Sequence, residues 1–179
     1  DRLSMFKIIK SVKEIISEEK NNYVYINVAS GSKIQAIACM MACMILKECK
    51  NLQPFYAQPE KYAAFDGEQQ SFGIKDTIPL PTYEIQIPKP KLLEALKIIK
   101  EANNQKITKK DMAIIAEERE IITINSEEEN HSQARFASLD KNIIQPLKEE
   151  WNFIEVEKIG RNRWIKITQE GINASEFLI

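Results

Sequence analysis

The sequence predicts two folds in one chain: a partial α/β domain of Rossmann type over residues 1–87 and an α+β winged helix-turn-helix domain over residues 88–179. Helix and strand patterns alternate in the first part, which is typical of a sheet of parallel strands. Three helix patterns followed by a β-hairpin pattern make up the second part. A proline-rich extended segment, residues 78–90, lies between them and places the domain boundary near residue 88.

The composition is that of an ordinary globular protein, with 44% apolar residues, 28% charged residues and a formal net charge of −1. A nearly neutral chain has no general positive field, so any contact with nucleic acid must come from a local basic patch. The three cysteines lie on or just after one predicted helix, and the single histidine is far from them. We therefore expect buried thiols in a reducing cytoplasm, and neither a metal site nor a cofactor. These cysteines are Cys39, Cys43 and Cys49.

The first part has a helix–strand–helix–strand pattern. Residues 2–20 carry apolar side chains at steps of three or four, which predicts an amphipathic helix. Residues 23–28 predict a strand, and residues 54–57 predict a second one. The helix between them, from about Ser32 to Glu48, is apolar on nearly every side, so we expect it to be buried against a sheet or a partner subunit. Its longest apolar run is too short to cross a bilayer.

Two strands and two helices do not close a doubly wound domain. We therefore expect residues absent from this chain, or another chain, to complete the sheet. The start at Asp1 rather than at Met leads us to expect that an N-terminal part of the domain is missing. Residues 62–77 have a mixed pattern and predict a loop. The alternation of Tyr83, Ile85 and Ile87 predicts an edge strand, where prolines are tolerated.

The turn after the first strand has the residues of an anion-binding site. Residues 29–31 form a tight turn and Ser32 is a helix N-cap, so free N–H groups at the helix start lie beside Ser30 and Lys33. A helix start at the carboxyl end of a strand binds anions. The same residues also fit a plain turn with Lys33 in water. The spacing is not that of a P-loop or a G-x-G-x-x-G motif, so it indicates neither ATP hydrolysis nor dinucleotide binding.

The second part has three helices, two strands and a last helix, in the order of a winged helix-turn-helix. The helices are residues 91–102, a segment capped by Thr108, and residues from Ser132 to Gln145 or beyond; the strands are residues 153–158 and 164–168; the last helix is residues 169–177. Pro146 is expected to end or kink the third helix. Residues 159–163 join the strands as a hairpin with a basic tip, the wing.

The third helix has an apolar face and a polar face. The polar face has the chemistry of major-groove reading, because Arg forks to guanine and Asn and Gln bridge adenine, and wings meet the DNA backbone or minor groove. The predicted DNA-binding residues are Arg135, Ser138, Lys141, Asn142 and Gln145 on the helix and Lys158, Arg161, Asn162 and Arg163 on the wing. The alternative is a module that binds protein through a solvated polar face. The long acidic connection over residues 119–131 and the near-neutral charge favour that alternative.

A family resemblance rests on residues 27–33 with the apolar helix after them, on residues 54–60, and on residues 139–147 with the wing. In these segments the sequence resembles archaeal regulators that join a CARF domain (CRISPR-associated Rossmann fold) to a C-terminal winged helix. The resemblance covers only the second half of the CARF domain. It implies a homodimeric transcription regulator that binds double-stranded DNA, with a cyclic oligoadenylate bound across the dimer axis. By that resemblance the ligand-binding residues are Asn27, Ser30, Gly31, Ser32 and Lys33.

The sequence shows no catalytic machinery. No nucleophile is placed beside a base, and His131 falls in an acidic segment, so we expect a regulator rather than an enzyme. Some CARF domains slowly cleave their own cyclic oligoadenylate. By that resemblance, Ser30 and Lys33 are the candidates for a ring-nuclease-like reaction, which we keep as a further alternative.

Overall fold

The computed structural model describes residues 4–19, 21–47, 49, 51–62, 71–124 and 130–179. The chain divides into two compact units, Asp1–Ile87 and Pro88–Ile179. Within the described ranges, no helix has both the length and the apolar character that a membrane crossing requires.

Two helices flank the first strand of the N-terminal unit. α1 (Met5–Glu18) begins after Ser4, whose hydroxyl oxygen accepts a hydrogen bond from the backbone N–H at the third helical position. β1 (Val24–Asn27) follows, and α2 (Lys33–Ile45) begins after the N-cap Ser32. The predicted helix–strand–helix order is confirmed, with bounds inside those that the sequence patterns predict.

The sheet of this unit is mixed: the two strands that the sequence predicted pair in parallel, as expected, and an unpredicted third strand is antiparallel. β2 (Leu52–Gln58) lies between β1 and β5 (Asp76–Pro79); it is parallel to β1 and antiparallel to β5. A short pair, β3 (Lys61–Tyr62) and β4 (Ser71–Phe72), lies along the chain between them. An antiparallel neighbour needs no helical crossover, and the described residues between β2 and β5 contain no helix. The prediction of a loop over residues 62–77 is therefore wrong at Tyr62 in β3, at β4 and at the start of β5.

The edge strand predicted at residues 83–87 is wrong, because this segment contains no strand and lies against the end of α2 instead. The Lys47 ammonium donates a hydrogen bond to the backbone carbonyl of Thr82 at 2.8 Å. The N–H of Ile85 lies 3.4 Å from the carbonyl oxygen of Met44. The Thr82 carbonyl and the Ile85 N–H, which a strand would pair with a neighbouring strand, are thus bonded to residues at the end of α2 and just after it.

The N-terminal unit buries few large side chains. Its buried side chains are Ile9, Ile16, Ala38, Ala42, Cys43 and Pro54. α2 was predicted to be buried against a sheet or a partner subunit; in this unit Ile37 is 53% exposed, and Tyr25 on β1 is 64% exposed. The buried face of α2 consists of small residues packed on α1 and β2. Full burial of α2 is therefore not reached within this unit.

The C-terminal unit begins with α3 (Pro90–Glu101), which has a proline in its first turn, where the missing N–H costs nothing. A strand that the sequence analysis missed, β6 (Lys106–Thr108), leads directly into α4 (Lys109–Glu118). Thr108 caps α4 as predicted, because its Oγ1 accepts a hydrogen bond from the Asp111 N–H at 3.1 Å. Its hydroxyl also donates to the Asp111 carboxylate at 2.6 Å.

The sequence predicted that the third helix would end or kink at Pro146, and it does not end there. α5 (His131–Leu139) continues through two wider, π-helical turns, Asp140–Ile144 and Pro146–Glu150. In such a turn a residue bonds to the carbonyl five positions earlier, as the N–H of residue 145 does with the Asp140 carbonyl. The wider turn accommodates a proline, whose ring clashes with the carbonyl four positions earlier in a regular helix.

The wing is a tight hairpin, as predicted. β7 (Ile154–Ile159) and β8 (Asn162–Ile167) pair antiparallel, and β6 pairs with the other edge of β8. Gly160, with a φ of +61°, takes the first of two loop positions, where type II′ turns favour glycine. α6 (Gln169–Leu178) follows and packs on α3. The helices and the sheet enclose a core that includes Leu96, Ile99, Met112, Leu139, Ile143, Leu147, Ile154 and Ile165.

Candidate nucleic-acid interface

An open cavity of about 300 Å³ lies in the C-terminal unit where the start of α4, the first part of α5 and the wing meet. We call it the wing cavity; its lining residues are Thr108, Lys109, Lys110, Phe136, Arg161, Asn162 and Arg163. Four of these side chains are cationic, although residues 88–179 as a whole carry 15 Lys and Arg against 16 Asp and Glu. Positive charge is therefore concentrated at this place.

One of the four cations is already neutralised. The Lys109 ammonium lies 2.5 Å from a carboxylate oxygen of Asp140 and 5.6 Å from the centre of the Phe136 ring, and its side chain is only 12% exposed. The other three cations, Lys110, Arg161 and Arg163, are not part of any ion pair found in the described residues. Arg161 and Arg163 are exposed. The wing cavity thus presents three charges without carboxylate partners.

The wing residues divide between the two faces of the hairpin. Lys158 lies opposite Arg163, and by alternation both continue the face that carries the buried Ile154 and Ile165. Asn162 lies on the other face, opposite the exposed Ile159. Lys158 and Arg163 therefore extend the side of the sheet that faces the core and the helices. The prediction that these wing residues bind DNA is consistent with this placement and stays a prediction.

The polar face of the third helix is only partly available. Lys141, Asn142 and Gln145 are exposed, and the apolar face is buried at Leu139, Ile143 and Leu147 and half-buried at Phe136. Ser138 is engaged within the protein: its hydroxyl donates to the backbone carbonyl of Thr123 at 3.0 Å and accepts from the Asn142 amide at 3.1 Å. Ser138 therefore fixes the chain before α5.

Arg135 lies against α4 instead of projecting from the polar face. Its Nε is 2.6 Å from one carboxylate oxygen of Glu117, and the other oxygen is 2.8 Å from Nε2 of His131. An Arg135 Nη2 lies 3.3 Å from Nδ1 of the same imidazole, and the Arg135 side chain is 24% exposed. A helical wheel shows only which face a residue is on, so this partner on a neighbouring helix was missed. Contact between Arg135 and DNA would require it to leave Glu117.

The predicted ligand-binding residues of the N-terminal unit share one exposed turn after β1. Asn27 and residues 30–33 are all exposed, and Gly31 has a φ of +88°. The N–H groups predicted to be free are partly used, because Ser32 and Gln35 form a reciprocal capping box, with the Ser32 N–H 2.8 Å from the Gln35 side-chain oxygen. The Asn27 side chain accepts from the Ala29 N–H at 2.9 Å. A ligand at this turn would therefore contact its side chains more than its backbone N–H groups.

The thiols differ from one another. Cys43 is buried, and burial raises the pKa of its thiol to about 12; burial also raises the pKa of the half-buried Cys39. Cys49 is exposed, which contradicts the prediction of buried thiols throughout, because it follows the end of α2 rather than lying within it. The described residues contain no cluster of three or more side chains suited to bind a metal ion.

Residues 91–179 match the model described as the DUF6293 C-terminal winged helix domain. The C-terminal unit is a winged helix domain. Its match spans α4, α5 and the wing, and it confirms the fold predicted for this part. Residues 1–62 match a model described as HFX_2341_N-like, N-terminal. They belong to the N-terminal unit, which has an α/β fold with a mixed sheet.

A relative from the archaeon Methanocaldococcus jannaschii, "Uncharacterized protein MJ1513", is 31% identical over 144 residues. The match covers 66% of this chain and 42% of the relative, so the chain spans about two fifths of the length of that protein. Neither the two family descriptions nor the name of the relative mentions a CARF domain. The resemblance to CARF regulators therefore stays a prediction.

Proposed function

We propose that the winged helix domain binds duplex DNA and that the protein regulates transcription. The observation that carries this proposal is the group of three cations around the wing cavity that have no carboxylate partner among the described residues, in a domain whose net charge is slightly negative. Solvated lysines spread over a surface are ordinary. Three cations gathered from the start of a helix and from a hairpin tip are suited to a phosphate backbone.

The exposed residues of the third helix supply the base contacts in this proposal. Gln145 carries an exposed amide suited to adenine, and Lys141 suits guanine or phosphate oxygens. One amide hydrogen of Asn142 bonds to Ser138, which leaves its second amide hydrogen and its oxygen for a base. The π-helical turns carry these residues past Leu139, the last residue of the regular helix, and keep the segment helical up to Glu150. Base reading is thus assigned to the second half of the helix, since Ser138 and Arg135 are engaged internally.

Selection of bound duplexes from a random pool, followed by affinity measurements on the selected site, tests DNA reading. We expect Asn142→Ala to lose roughly 1 to 3 kcal/mol of discrimination for the selected base and to keep its affinity for random duplex. Lys97→Gln on α3, an exposed cation that does not line the wing cavity, is the matched control. Failure of the pool to yield any enriched duplex would favour the protein-binding alternative for this domain.

We also propose that the N-terminal unit is a dimeric sensor that binds a cyclic oligoadenylate at the turn after β1. Two observations support this. The polar side chains from Asn27 to Lys33 share one exposed turn at the carboxyl end of a parallel strand. Large apolar side chains are exposed on this unit, among them Tyr23, Tyr25 and Ile37, which is typical of a surface that a partner covers.

Titration of the protein with cyclic tetra-adenylate, followed by calorimetry, tests the sensor. We expect saturable binding at one ligand per dimer, and we expect Lys33→Ala to weaken it, with Lys7→Ala on α1 as the control. A ligand regulates DNA binding only through different affinities for two states, so DNA affinity must change when the ligand is present. Linear product after incubation would contradict our proposal that the protein is not an enzyme and would favour the ring-nuclease alternative.

A further inference from the structure

The wing carries two cations directly opposite each other. Lys158 on β7 and Arg163 on β8 are register partners, and both side chains are exposed. Like charges in directly opposed positions of an antiparallel pair repel. None of the ion pairs in the described part of the chain involves either residue. The hairpin therefore has an uncompensated repulsion next to its tip.

The same sheet has a second pair of opposed cations, and that pair is compensated. Lys106 on β6 faces Lys166 on β8. The Lys106 ammonium lies 3.4 Å from a Glu157 carboxylate oxygen and 5.1 Å from the centre of the Trp164 ring, and Glu155 is the register partner of Lys166 on the other side. Away from the wing, the protein thus places carboxylates beside opposed cations. At the wing, no ion pair formed within the described ranges involves Lys158 or Arg163.

We infer that the wing cavity is a binding site for one phosphate group, whose charge neutralises Arg163 and relieves its repulsion with Lys158. Arg161, Arg163 and Lys110 line the cavity and supply the donors, and the guanidinium fork matches the oxygens of a phosphate. A volume of about 300 Å³ equals that of roughly ten water molecules, so a phosphate enters with part of its hydration shell. The inference rests on the proposed function in one respect only: the bound phosphate is taken to be a phosphodiester of duplex DNA.

A consequence is that occupancy of the wing cavity stabilises the winged helix domain. A ligand that binds only the folded state raises the melting temperature in a saturable way. Both tryptophans, Trp151 and Trp164, lie in this domain, so tryptophan fluorescence of the full chain follows its unfolding without a contribution from the N-terminal unit. Inorganic phosphate is a sufficient probe.

The first experiment compares thermal unfolding in sodium phosphate and in sodium chloride at equal ionic strength. At ten times the dissociation constant we expect phosphate to raise the melting temperature by roughly 5 to 10 °C. We expect Arg163→Gln to abolish this shift and Lys97→Gln to leave it unchanged. Equal melting temperatures in the two salts, or a shift that Arg163→Gln retains, would overturn the site.

The second experiment separates stability from binding. Lys158→Glu replaces the opposed cations by an ion pair, so we expect a higher melting temperature in chloride, together with a smaller phosphate shift and weaker DNA binding. A lower melting temperature for this folded variant would contradict the inferred repulsion. If the variant does not fold, the phosphate shift of Arg163→Gln decides alone.

The two proposals fail in different ways. DNA binding without a phosphate shift rejects the phosphate site and leaves the proposed function in place. A phosphate shift without DNA binding keeps the site and rejects duplex DNA as its source.

Discussion

Lys110, Arg161 and Arg163 are the three wing-cavity cations that have no carboxylate partner among the described residues. Removing their charges should reduce the salt dependence of DNA binding. The perturbation is the triple variant Lys110→Gln, Arg161→Gln and Arg163→Gln. Glutamine keeps much of the side-chain length and removes the charge. None of the three residues belongs to the buried core, so the fold should persist, which a thermal unfolding curve checks.

The magnitude follows from counting neutralised phosphates. The wing cavity is assigned one phosphate, and Lys141 and Lys158 are assigned one each, which makes three. Each phosphate neutralised on B-DNA contributes about −0.9 to the slope of log affinity against log salt, so the unmodified protein should show a slope of about −2.7. Raising salt from about 50 to 200 mM should then weaken binding about 40-fold, whereas the triple variant, with a slope of about −1.8, should lose only about twelvefold.

The assay is fluorescence anisotropy with a labelled 30-base-pair duplex (about three helical turns) at four or more salt concentrations. Lys97→Gln, which also removes one exposed charge, should keep the slope of the unmodified protein. A triple variant with an unchanged slope would refute the assignment of phosphate contacts to the wing cavity. A slope near zero for the unmodified protein would refute DNA binding through these charges altogether.

Three further outcomes follow from contacts in the structure. Arg135→Ala and Glu117→Gln should each lower the free energy of unfolding by roughly 0.5 to 1 kcal/mol and leave the salt slope of DNA binding unchanged; a slope smaller by about 0.9 for Arg135→Ala would show that it contacts DNA. At pH 8, Cys49 should react with iodoacetamide and Cys43 should not, because a thiol with a pKa of about 12 is protonated there; mass spectrometry of labelled peptides checks this. Gly171→Ala should cost roughly 1 to 3 kcal/mol in denaturant unfolding, because the added Cβ meets a backbone carbonyl just before β7; an unchanged midpoint would contradict that contact.

Local chemistry explains which elements the sequence could predict. The starts of α2 and α4 follow from Ser32 and Thr108, whose side chains accept hydrogen bonds from N–H groups three residues later and need no distant partner. The wing follows from alternating strands around Gly160, since a tight hairpin is set by its loop residues. These features depend on neighbours within a few positions.

Strands that depend on distant pairing were not predictable in the same way. β6 has only three residues, and it is a strand because Ile107 lies opposite Ile165, far along the chain. β5 exists because it pairs with β2, whereas the better alternating pattern at residues 83–87 lies against a helix end and forms no ladder. Strand propensity describes fit to a half-buried surface, and the surface itself comes from the rest of the fold.

The position of the DNA-facing surface changes for the same reason. A helical wheel puts Arg135 on the polar side of the third helix, but Glu117 on α4 holds it, and Ser138 is taken by a backbone carbonyl. The first half of the helix is therefore used to hold the chain against α4. What stays exposed is the second half of the helix, which suits the reading of bases. The cations that suit phosphate lie at the start of α4 and on the wing.

Affinity and sequence reading are thus assigned to separate sets of residues, so the triple variant of the cavity and Asn142→Ala should give additive losses in binding to a selected duplex. A strongly non-additive result would mean that the two sets act as one site.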